Sequence, residues 1–189
     1  MKKEKKKQKK EKKQKKVQVV DLSIVEKFYN EIKDVEYGWY DKQGILHVNI
    51  KDENFGKRYK MQKTKDIMKH NHAICWEMCE LEREFFKKNK IKHQTIFVYE
   101  KDNPNYPCHT FLVFPSNNKW YWFEGSWKEE KGIHEYKSLY EIINYFRNNF
   151  SDFSKKYKKD KLKFYRYRKP LRRYGCNGYY RHCMLGKKI

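Results

Sequence analysis

Residues 109–124 read HTFLVFPSNNKWYWFE, two runs of apolar, β-branched and aromatic residues joined by the turn-forming quartet PSNN. That pattern dictates a β-hairpin. A turn centred between Ser116 and Asn117 sets His109 opposite Glu124. Directly opposed residues share a face with Cβ atoms about 5 Å apart, so an imidazole and a carboxylate can meet there. Moving the turn centre on by one residue makes the pair diagonal, still within reach.

Around this hairpin the chain alternates between helix and strand signals. DLSIVEKFYNEIKD sets Leu22, Val25, Tyr29 and Ile32 at helical spacing behind the cap Asp21. VEYGWY, DKQG and ILHVNI read as a second hairpin, and KRYKMQ as a short extended piece. Thr64 is placed to cap a brief helix, TKDIMKH. From Cys75 to about Lys90 there is no Gly or Pro, and Cys75, Cys79 and Phe86 fall on one stripe, so this helix sends an apolar face into the core. QTIFVYE is a further strand, Ser138 with Glu141 opens a helix with a capping box, and residues 161–167 make a strand that Pro170 stops. Internal repeats are absent. The expected class is α+β, a core helix packed on an antiparallel sheet.

Charge divides the 189 residues differently. The formal net charge is +22, yet residues 1–16 hold eleven Lys and two Glu, and residues 155–189 hold fourteen Lys and Arg with one Asp. Residues 17–154 are neutral. The expected organisation is a disordered Lys-rich tail over 1–16, a folded domain over 17–170 and a basic extension over 171–189. With no apolar residue after Met1 the tail is not expected to supply a signal-sequence core, and self-repulsion is expected to keep it unfolded. No window is apolar enough to span a membrane. Five irregularly spaced cysteines read as free thiols in a reducing, intracellular setting, expected to be cytoplasmic.

Cys75 begins its helix, where the dipole and unpaired N–H groups favour thiolate. A thiol at a helix start, a histidine on a strand and a carboxylate ending the next strand are the parts of a Cys-His-acid relay. The segments AICWE with Cys75 and Trp76, HTFLVF with His109, and WYWFEGSW with Glu124 resemble the transglutaminase-like superfamily of papain-type cysteine enzymes. Chain order and spacing, 34 residues and then 15, both fit. The resemblance covers roughly residues 35–130. It implies a transglutaminase-like fold, with Cys75 as nucleophile, His109 as general base and acid, and Glu124 as the orienting carboxylate. It also implies acyl transfer at a protein or peptide amide through a thioester, ending in hydrolysis, deamidation or transamidation, without a cofactor. There are three departures from the family pattern: Ala73 replaces a common Gly, Glu124 replaces the commoner Asp, and no oxyanion donor is identified beyond the Cys75 N–H. Gln62 and Trp39 are the further candidates for that donor, and Trp76 for a groove wall.

Other readings compete. A binding module would keep this fold without turnover, its basic ends holding nucleic acid or another polyanion through Arg166, Arg168, Arg172 and Arg173. His70, His72, Cys75 and Cys79 are metal-binding types, but their spacing is not a standard finger and no second pair follows at matching spacing. Cys108 with His109, and Cys176 with His182 and Cys183, are irregular, so no metal is expected. Glu77, Glu80, Glu82 and Glu84 read as a solvated helix face. Glu82, seven residues from Cys75, is the one that could turn inward, toward an arginine.

Overall fold

The computed structural model describes residues 18–48, 54–101, 108–152, 155–156, 160–171 and 175–189, with only the backbone at 151–152 and 155–156. The expected tail, Arg172 and Arg173 lie outside the described residues. At the centre is a six-stranded antiparallel sheet in the order β12-β11-β5-β6-β7-β8. Its strands are β5 (Gln94–Glu100), β6 (Cys108–Ser116), β7 (Lys119–Glu124), β8 (Gly132–Tyr136), β11 (Leu162–Tyr167) and β12 (Lys187–Lys188). The fold is mixed α+β.

Helices cover both faces. On one, α4 (Cys75–Lys88) lays Met78, Cys79 and Phe86 into a core shared with Phe97, Leu112, Phe114 and Phe123. On the other, α5 (Leu139–Asn149) packs Ile142, Ile143 and Phe146 against Ile96, Phe111, Val113, Trp122 and Phe164. This double burial explains why HTFLVF is apolar at nearly every position rather than at alternate ones. The Ser138 hydroxyl accepts from the Glu141 N–H, and the Glu141 carboxylate answers at the Lys137 N–H, one residue before the expected box.

The β6–β7 turn falls one residue further along than the simplest centring. The ladder runs from Ser116↔Lys119 to Leu112↔Phe123, and Asn117 and Asn118 both take positive φ, 48° and 62°. Two left-handed residues make a turn whose twist matches its strands, which Asn tolerates. His109 and Glu124 are therefore diagonal.

The N-terminal half is built of small pieces. Helix α1 (Leu22–Ile32) forms as read, with Asp21 accepting from the Ser23 N–H. Strands β2 (Trp39–Tyr40) and β3 (Leu46–His47) make the second hairpin. Strand β1 (Glu36–Tyr37) departs from it to pair in parallel with β4 (His72–Ala73). Most of KRYKMQ is not extended: Lys57 and Arg58 end α2 (Phe55–Arg58), and Tyr59 only bridges Asp41. Thr64 is the first residue of α3 (Thr64–His70) rather than its cap, and its hydroxyl is spent on Glu84, 2.6 Å away.

Past residue 171, where the sequence suggests a basic extension, the chain returns to the core. Helix α6 (Cys176–Met184) buries Tyr179 and Cys183, and β12 adds to the sheet edge beside β11. Backbone β9 (Ser151–Asp152) and β10 (Lys155–Lys156) form a small separate ladder. Among the described residues no helix is long and apolar enough to cross a membrane.

Candidate active site

His109 and Glu124 meet across the diagonal of the β6–β7 pair, with His109 Nε2 2.8 Å from Glu124 Oε2. The carboxylate is held from every side. Its Oε1 accepts from the Ser126 N–H and hydroxyl and the Trp127 N–H at 2.8–3.0 Å, and its Oε2 also accepts from Trp122 Nε1 at 3.2 Å. Burial alone would raise its pKa, but the facing His109 charge and these donors hold it below the usual carboxylate range. Glu124 is thus a fixed anion.

The imidazole answers to it. Burial pulls the His109 pKa down, but the Glu124 carboxylate and hydrogen bonds to Cys75 and Glu124 outweigh burial and push it up to about 10. With Nε2 on Glu124, Nδ1 is the nitrogen left for Cys75. Phe111, Trp127, Phe146 and Phe150 surround the ring and exclude water. His109 is 6% exposed and Cys75 4%.

Cys75 is the first residue of α4, where a backbone N–H has no acceptor within its own helix. The Tyr37 hydroxyl points at its Sγ from 3.9 Å. Tyr37 is a site residue that spacing missed, because only the parallel β1–β4 pair, Tyr37↔Ala73, brings it there. Burial pushes up the pKa of the other four thiols, Cys79, Cys108, Cys176 and Cys183.

The other candidates fall elsewhere. The Gln62 carboxamide is consumed: its Nε2 donates to the His72 carbonyl and to Glu77, and its Oε1 faces His70 Nδ1 at 2.7 Å. It locks the approach to α4 and has no donor to spare for an oxyanion. Trp39 is fully buried, stacked on His47 at 4.1 Å, a core residue. Trp76 stacks on Tyr179 at 4.4 Å, so α6 walls the start of α4. Arg166, in β11, is half-buried, and Arg168, just past the end of β11, is exposed.

The four glutamates of α4 do not form a solvated face. Glu77, Glu80 and Glu82 are buried, and Glu84 alone is exposed. Glu77 accepts from Tyr59, from the Gln62 N–H and side chain, and from the Ile74 N–H, tying the first turn of α4 to the preceding loop. Burial raises its pKa to about 7 against those donors. Glu80 pairs with Arg83 at 3.1 Å, and Arg83 also donates to Thr95. The metal-type residues are divided among separate partners: His70 with Gln62, His72 with Glu36, and Cys79 with Tyr167. Among the described residues no group of three or more His, Cys, Asp or Glu is placed to hold a metal ion.

Comparison of the sequence with protein-family models and with curated proteins returns no match.

Proposed function

We propose that this chain is a cysteine-dependent acyl transferase acting at amides, of the transglutaminase-like, papain-type class that its sequence resembles. The supporting observation is the buried Glu124–His109–Cys75 series, in which the carboxylate fixes Nε2 and leaves Nδ1 for the thiol. The Cys75 thiolate attacks the carbonyl carbon of the amide, forming the C–S bond. His109 then gives its proton to the nitrogen as the C–N bond breaks and an amine leaves. Water or a second amine next attacks the thioester, His109 takes the proton, and the C–S bond breaks to regenerate thiolate and imidazolium. On this reading the Cys75 N–H and the Tyr37 hydroxyl, which lies 3.9 Å from Sγ, receive the carbonyl oxygen as it becomes an oxyanion.

The test is alkylation by iodoacetamide at pH 7, mapped by mass spectrometry. Cys75 is expected to react first, because burial raises the pKa of the other four thiols. Equal or slower reaction at Cys75 overturns the proposal. In a labelled amide-donor assay, Cys75→Ala should abolish the acyl-enzyme.

The near-complete burial of Cys75 favours one alternative, a binding module in which the fold is kept without turnover and the basic segments hold a nucleic acid. On that reading affinity falls steeply with salt, deletion of residues 1–16 flattens the salt slope, and Cys75 stays unreactive.

A further inference from the structure

Glu82 stands on α4 seven residues after Cys75, two turns along the same face. It is 2% exposed, and its Oε2 has no hydrogen-bond partner. A Cβ added to Gly125 would lie 2.7 Å from Glu82 Oε1 and 2.8 Å from Met78 Cε. The carboxyl is therefore seated on the residue that follows Glu124, where a side chain would displace it. The titratable groups facing it are Glu124 from β7, His109 from β6, and Glu80 and Cys75 from α4 itself. Among the described residues no arginine pairs with it: Arg83, its neighbour on α4, is committed to Glu80.

A carboxylate buried without its own cation beside a second carboxylate does not remain ionised. Burial first, and the Glu124 charge next, hold the Glu82 pKa well above the carboxylate range. Two acids thus lie side by side in different states, Glu124 ionised by its donors and Glu82 carrying its proton.

We infer that Glu82 is a positioning residue for the proposed relay: a neutral acid seated on Gly125, it fixes the turn that carries Glu124 and leaves Glu124 as the single negative charge behind His109. This rests on the acyl-transfer reading and names a further residue of that site. It acts through Glu124 and touches no reacting atom.

The experiment follows the His109 ring by NMR titration in the full chain, with the thermal midpoint as a control for folding. Glu82→Gln keeps the shape and is uncharged at every pH, so it should leave the His109 titration where the wild type has it. Glu82→Met fills the volume without the polar head, so His109 should release its proton about one pH unit lower, a tenfold loss of proton affinity. Gly125→Ala, which drives the carboxyl off the turn, should shift the titration the same way and serves where Glu82→Met does not fold. A shift in Glu82→Gln would mean that the wild-type group is charged, and an unmoved titration in Glu82→Met would reduce it to packing. Either result overturns the inference. Slow wild-type alkylation at Cys75 would remove the acyl-transfer reading alone, because the titration needs no turnover.

Discussion

His109 owes its proton chiefly to Glu124, with Cys75 adding to it. Glu124→Gln keeps the shape of the contact but removes the charge, so the imidazole loses both its orientation and its counterion. Turnover in an amide-donor assay should fall by about a hundredfold or more while Cys75 alkylation remains detectable. The same pair sets a pH dependence. The folded pKa of His109 is raised from 6.5 to about 10, so its contribution to stability is complete below pH 6.5 and is lost as pH climbs to about 10. Glu77, raised from 4.5 to about 7, holds its proton more tightly when folded, so it removes stability as pH rises from 4.5 to 7. Thermal midpoints scanned against pH should decline across both windows, and Glu77→Gln should make the lower decline shallower, leaving the part that the raised Glu80 and Glu82 carboxyls contribute. The His109–Glu124 contact is legible because the turn between their strands sets them near each other, whereas the sequence brings Cys75 to them only through the family resemblance. Tyr37 and the burial of Glu77, Glu80 and Glu82 are not legible, because both arise from contacts between segments distant in sequence. A glutamate-rich helix looks solvated until its partners, the Gln62 loop, Arg83 and Gly125, are known.

Single elements carry separate, measurable loads. The β6–β7 turn needs two left-handed residues, so Asn118→Gly should be neutral or slightly stabilising, and Asn118→Val should cost about 1 kcal/mol or more in urea denaturation. The same substitution should leave Cys75 reactivity unchanged, because the turn lies at the far end of the strands from His109. Helix α6 is bound to α4 by the stack of Tyr179 on Trp76, and to β11 by the Tyr179–Tyr167 hydroxyl contact at 2.9 Å. Tyr179→Ala should therefore cost about 3–5 kcal/mol, read by the same denaturation. α1, the hairpins and α4 could be read from periodicity, turn residues and caps. α6 could not, because CNGYYRHCM has a glycine near its start and a basic surround that reads as solvated, and its apolar side emerges only beside α4.

Across the molecule, the sheet order separates neighbours in space from neighbours in sequence. Strands β5 to β8 follow one another along the chain, whereas β11 pairs with β5 across more than sixty residues, Leu162 opposite Glu100 and Tyr167 opposite Thr95. During synthesis the side of β5 that takes β11 therefore stays unpaired until some sixty more residues have been made. Closing so large a loop is slow, and an apolar edge left open in the meantime invites pairing with other chains. Refolding from denaturant should therefore be slow, with a yield that falls as protein concentration rises. The lysines of β12, which end up on the finished edge, act as a late guard: once Lys187 and Lys188 are in place, the next chain to approach meets like charge instead of an open ladder.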